Sequence, residues 1–210
     1  MMSTWSGTAS VNACGVCAGM AAPVTEPADA ATAPTPVPTA APAPPSSAGP
    51  ALRVPDAVDT SLWSPQRVRG YEESLREETG HPLAVLRIPR IGIEVPVLDG
   101  TDEAKLNRGV GRIEGTALPG QAGNLGIAGH RDGFFRGLKD VAVGDAVELE
   151  TLEGTEAYVV DDVRIVDPDD VSVLKPTSAP AITMVTCYPF YFVGSAPRRY
   201  IVRARRAGGP

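Results

Sequence analysis

The sequence predicts an all-β domain, a sandwich or a closed barrel, entered through one surface helix. Three observations carry this expectation. In "RIGIEVPVL", Ile91, Ile93, Val95 and Val97 alternate with Gly92, Glu94 and Pro96, the period-two signature of a half-buried strand. Further short apolar segments follow, separated by clusters of Gly, Asp and Pro, and this spacing fits strands packed face to face or closed on themselves. No unit of roughly 20 to 50 residues repeats, which argues against a solenoid or propeller.

The folded part does not begin at residue 1. The chain has 210 residues, 43% of them hydrophobic, enough for one core. Nine prolines fall between Pro23 and Pro50, among Ala, Thr and Ser and without an aromatic residue. Such a stretch cannot bury enough apolar surface to offset its ordering entropy, so an extended tether is expected. Ten of the eleven aromatic residues lie from Trp63 onward. Residues 1–62 therefore read as leader and linker, and 63–210 as the folded domain. The first 22 residues contain no Lys or Arg and are mostly Ala, Gly and Ser, unlike a secretory signal and too weakly apolar to span a bilayer. Either the export segment is degenerate or an anchor precedes the recorded start.

Within the domain, Ser64 stands where an N-cap belongs, Pro65 at the first helical position and Gly80 beyond the end, predicting a helix over 65–79. Val68, Tyr71 and Leu75 would share its apolar face. The barrel or sandwich then occupies about 83–206. After the strand at Ile91, with Pro96 marking an edge or bulge, come "NLGIAGH", "AVELET", "AYVVDDVRIV", "AITMVTC" and "RYIVRA". Short helical turns fit at Asp102–Asn107, Phe134–Lys139 and Val171–Leu174. "GVGRIEG" lacks dinucleotide-binding spacing and reads as a turn between strands.

A net charge of −6 with interspersed signs argues against a nucleic-acid or lipid-headgroup partner. The basic tail "RRYIVRARR" reads as a solvated strand edge. "DPDD" at 167–170 lacks the Gly and distant Glu of a calcium loop and reads as an acidic surface turn. Of three cysteines, Cys14 and Cys17 form an incidental C-x-x-C in the leader, and Cys187 reads as a thiol outside any disulfide.

Two histidines are present. His81 precedes a proline at the junction between helix and first strand, where a boundary role suffices. His130 closes an apolar strand in "GIAGHRDGFF", where a polar side chain can emerge at a rim. Cys187 ends another strand and is followed by Arg198 and Arg199. Taken singly, a histidine is more often structural and a cysteine more often buried. Together they describe acyl transfer through a thioester: a thiol needs a base or cationic neighbour, and an arginine can hold developing negative charge.

At these residues the chain resembles a known family. "TMVTC" resembles the T-L-x-T-C signature of sortases, "GHRDGFF" their histidine segment, and "CYPFYFVGSAPRRY" the cysteine-to-arginine segment of class D sortases. The likeness runs in register from about Leu83 to Arg206, through "RIPRIGIEVPV" and "LNRGVGRIEGTALPG". It implies an eight-stranded β-barrel with Cys187 as nucleophile, His130 as general acid and base, and Arg199 as the arginine, since A-P-x-R-Y fits Arg199 before Tyr200. It further implies cleavage of an LPxTG-like sorting signal between Thr and Gly, giving an acyl-enzyme that an amine of a cell-wall precursor or protein resolves. No metal or organic cofactor is required.

Met184 stands where the signature has Leu, a volume-conserving replacement. The resemblance implies an extracytoplasmic location at the cell envelope and a membrane anchor that this sequence does not display. Two other readings are a cysteine peptidase that resolves the thioester with water and a catalytically silent barrel used for binding.

Overall fold

The computed structural model describes residues 52–208, apart from 56, 192 and 193. The proline-rich tether and the Cys14–Cys17 pair lie outside the described residues. Eight strands form a closed barrel: β1 (Ala84–Ile88), β2 (Ile93–Asp99), β3 (Val110–Arg112), β4 (Asn124–Ala128), β5 (Ala146–Thr151), β6 (Gly154–Val166), β7 (Ala181–Tyr188) and β8 (Arg198–Arg206). Their order around the barrel is β1-β2-β3-β4-β7-β8-β6-β5, with β5 pairing back to β1. The β2–β3 and β4–β7 pairs are parallel; the remaining pairs are antiparallel.

The interior is filled by alternate residues of the strands, among them Leu86, Val95, Ile127, Leu149, Ile182 and Met184. Met184 is fully buried, so an unbranched thioether fills the position of the usual Leu. Full burial of side chains this size stabilises by about 1.5–3 kcal/mol each. A second cluster, Ile113, Val173, Val185 and Ile201, lies apart from it, with Leu174 packed against it. The 3-10 turn Val171–Leu174 supplies its lid.

Helix α1 (Pro65–Ser74) starts as the sequence predicts, with the Ser64 side chain accepting from the Arg67 N–H. It ends well short of the expected Thr79. The Ser74 hydroxyl donates to the Tyr71 carbonyl, and the chain tightens into i→i+3 bonds from Arg76 to Glu73 and from Glu77 to Ser74. Leu75 consequently turns outward, 49% exposed. The docked face carries Arg67, Tyr71 and buried Ser74 instead. Gly70 lets this face approach α2 (Glu103–Arg108), since a Cβ there would stand 3.1 Å from the Asn107 amide.

Two further expectations change. Ile91 belongs to the 3-10 turn Pro89–Ile91, which Gly92 closes in the left-handed region at φ +65°, so β2 begins only at Ile93. "GVGRIEG" is not merely a turn: Val110–Arg112 is the short strand β3. Gly111 permits it, because a Cβ would fall 2.1 Å from the Gly100 carbonyl oxygen. Pro96 sits where its missing N–H costs nothing in the ladder, since pairing of β2 with β3 starts one residue later at Val97.

Candidate active site

Strand β7 carries the cysteine, β8 the arginine, and the turn just after β4 the histidine of the expected trio. Along β7, Ile182 and Met184 enter the barrel core, while Val185 joins the outer cluster. Alternation therefore puts Cys187 on the outer face with Val185. Across the β7–β8 ladder Cys187 lies directly opposite Arg199, two residues on from the Val185–Ile201 pair. Opposed residues of an antiparallel pair project to the same side, so thiol and guanidinium share one face. Both are largely buried, at 8% and 7% exposure. Arg199 donates from one terminal nitrogen to the carbonyls of Ala196 and Arg198. Arg198 points elsewhere, exposed, with Asp167 at 3.7 Å.

His130 approaches from the opposite side of β7. The parallel β4–β7 ladder runs to Ala128 opposite Val185 and is prolonged by the Gly129 N–H, which donates to the Val185 carbonyl at 3.1 Å. The Thr186 hydroxyl donates to the Gly129 carbonyl at 2.8 Å. Continuing this register brings His130 level with Cys187. The chain then turns sharply, with the His130 carbonyl accepting from Gly133 and Phe135. Gly129 is required here: a Cβ would lie 2.7 Å from a ring carbon of Phe135, which is fully buried.

His130 is 4% exposed and meets a carboxylate from α2. Its Nε2 is 3.6 Å from Glu103 Oε1. The histidine beside it holds the Glu103 carboxyl below its usual range despite partial burial, with Arg67 adding in the same direction. Arg67 of α1 gathers three groups. It donates to Asn107 Oδ1 at 2.6 Å and Asp132 Oδ1 at 3.2 Å, and lies 3.5 Å from Glu103. A T-shaped aromatic cluster of Trp63, Tyr71 and Phe134 joins α1 to the same turn.

Arg131, also buried, spans from the histidine turn to the loop after the cysteine, donating to the carbonyls of Pro189 at 2.9 Å and Gly194 at 3.0 Å. Sequence reasoning singles out none of Arg67, Glu103, Asn107 or Arg131. Only Arg131 carries a local signal, since it follows His130 directly in "GHRDGFF". His81 stays exposed between α1 and β1. "DPDD" forms a turn in which Asp170 caps the helical turn that follows by accepting from the Ser172 N–H. Among the described residues no group of three or more His, Cys, Asp or Glu could hold a metal ion.

What such a face can do chemically is bounded by its groups: a thiol, an imidazole paired with a carboxylate, and a fixed cation. Comparison with known proteins gives the family. A family profile described as a sortase domain matches residues 86–207. The chain is 37% identical over 134 residues to Sortase D of Bacillus subtilis strain 168, covering 63% of this chain and 68% of that one. Among solved structures it is similar to a Clostridium perfringens Sortase D5 transpeptidase, at 29% identity and a TM-score of 0.57 over 71% of this chain and 92% of that one. It is likewise similar to Sortase A from Corynebacterium diphtheriae, at 25% identity and a TM-score of 0.57 over 71% of this chain and 88% of that one. The chain belongs to the sortase family of cysteine transpeptidases, on its class D side.

Proposed function

We propose that the protein cleaves an LPxTG-like sorting signal through a thioester on Cys187 and transfers the acyl group to an amine, at the extracytoplasmic face of the cell envelope. The observation that carries this reading is the opposition of Cys187 and Arg199 across the β7–β8 ladder, with His130 entering beside β7 from β4. The Cys187 thiolate attacks the scissile carbonyl carbon, and Arg199 stabilises the oxyanion. His130, as imidazolium, gives its proton to the leaving nitrogen as the C–N bond breaks. In the second half-reaction neutral His130 takes a proton from the incoming amine, whose nitrogen attacks the thioester carbon and expels the thiolate.

Beside Cys187 on the same face, Val185 and Ile201 belong to the outer apolar cluster. An apolar border of this kind suits the Leu-Pro end of a sorting signal. No helix among the described residues is long and apolar enough to cross a membrane.

The test is turnover of an LPxTG peptide with and without an added amine, read by mass spectrometry. Wild-type protein should yield the amine-ligated product, and Cys187→Ala and His130→Ala should yield almost none. Full activity of Cys187→Ala would overturn the reading. Hydrolysis that an amine at saturation does not divert would make the protein a peptidase.

A further inference from the structure

Glu103 sits at the start of α2, where Asp102 caps the helix by accepting from the Lys105 N–H. An acid in a first turn is favoured by the helix dipole whatever else it does. That preference does not explain why this carboxylate reaches across to a histidine on another element. Its Oε1 lies 3.6 Å from His130 Nε2, while Arg67 stands 3.5 Å from the same oxygen and is itself fixed by Asn107 and Asp132. Glu103 is thus steered by a guanidinium that only the docked α1 supplies.

We propose that Glu103 is a positioning residue for the transpeptidation: it orients the His130 ring, directs a proton to Nε2 and favours the cationic imidazole. This deepens the proposed function and rests on it for the role of His130. A carboxylate facing one ring nitrogen fixes the tautomer and leaves the second nitrogen for proton exchange with the reacting groups, the part that the aspartate plays in Ser-His-Asp hydrolases. The charged groups around His130 divide clearly. Glu103 of α2 favours the cation; Arg67 of α1, Arg131 of its own turn and Arg199 of β8 oppose it. Asp132 is engaged with Arg67, and Cys187 of β7 favours the cation only as thiolate. Glu103 is therefore the carboxylate in direct reach, and its charge offsets the cations.

Its effect on catalysis differs from that of a structural contact. With Glu103 ionised, His130 retains its proton to higher pH. Replacement by glutamine preserves shape and removes the charge, so the His130 titration moves to lower pH.

The full-length protein contains two histidines, His81 and His130, so imidazole NMR resolves the titration directly and His130→Ala assigns it. In Glu103→Gln, the His130 midpoint should move to lower pH while that of exposed His81 stays in place. The limb of the kcat/KM profile set by His130 should move with it, and the maximal kcat/KM for an LPxTG peptide should fall about tenfold, less than for a fully buried orienting carboxylate. An unchanged His130 midpoint with an unchanged pH profile in a folded Glu103→Gln protein overturns the inference. Full turnover by His130→Ala instead overturns the reading on which it rests, and the NMR midpoint, which needs no activity, separates the two failures.

Discussion

The Thr186 hydroxyl donates to the Gly129 carbonyl at 2.8 Å in a buried bond. One side chain thereby locks the residue before Cys187 to the residue before His130. Thr186→Val keeps the shape and removes the donor, leaving a buried carbonyl with one partner fewer. Stability should fall by about 1–3 kcal/mol, and on the proposed function kcat should fall with it because Cys187 and His130 lose their common register. Urea unfolding and peptide turnover measure both; Thr186→Ser, which keeps the hydroxyl, should retain most of each.

Gly129→Ala should be more damaging than an ordinary glycine replacement. The new methyl would press on the Phe135 ring at 2.7 Å and on Val110 at 3.0 Å, and a packed aromatic ring cannot swing aside. About 1–3 kcal/mol of stability should be lost. The double variant Gly129→Ala/Phe135→Leu should recover part of it, a coupling that thermal unfolding of the four proteins reads directly.

Arg199→Lys tests geometry at constant charge. A planar guanidinium held by the Ala196 and Arg198 carbonyls can present fixed donors, whereas an ammonium on a flexible stem cannot. kcat should fall by about 10²- to 10³-fold, with little change in the thermal midpoint.

Asn124 joins the outer cluster to its lid. Its amide donates to the carbonyls of Val173 and Lys175, and its oxygen accepts from Thr183. Asn124→Ala should cost about 2 kcal/mol and raise KM for the peptide more than it lowers kcat, because the Val171–Leu174 turn loosens over Val185 and Ile201. Steady-state kinetics over a peptide concentration series gives the split.

Asp145 predicts an acid dependence of stability. Its carboxylate takes both Arg90 and the Ala142 N–H, and Arg90 above all holds its carboxyl below the usual aspartate range. A depressed folded-state pKa contributes stability above the ordinary value, lost as pH falls through the depressed one. Wild-type protein should therefore exceed Asp145→Asn in stability at neutral pH and lose that advantage in acid. Urea midpoints at about pH 7 and about pH 3, on either side of the ordinary aspartate value, compare them.

Much of this is legible from the chain. Cys187, His130 and Arg199 each stand at a strand end that alternation, Gly and Pro mark, and segment order links them. Strand β3 is not legible, because Gly109 before it and Gly111 within it look like turn chemistry; their close approaches to the Pro96 and Gly100 carbonyls explain them. The end of α1 is hidden because Leu75 continues a helical period that local i→i+3 bonds and the buried Ser74 override. Glu103 and Arg67 are invisible for another reason. Their meaning lies in which elements dock on the histidine turn, and residue type at a helix start carries no record of that.

The parallel pairing of β4 with β7 has a consequence in time. Gly129 and Thr186 are 57 residues apart in sequence, with the whole of β5 and β6 lying between β4 and β7. Contacts of such separation are slow to form, because the loop-closure entropy precedes any reward. Cys187 comes opposite Arg199 only when β7 and β8 pair, and beside the His130 turn only when β7 joins β4. On the proposed function, the reactivity of Cys187 therefore depends on completion of the barrel rather than on its own strand.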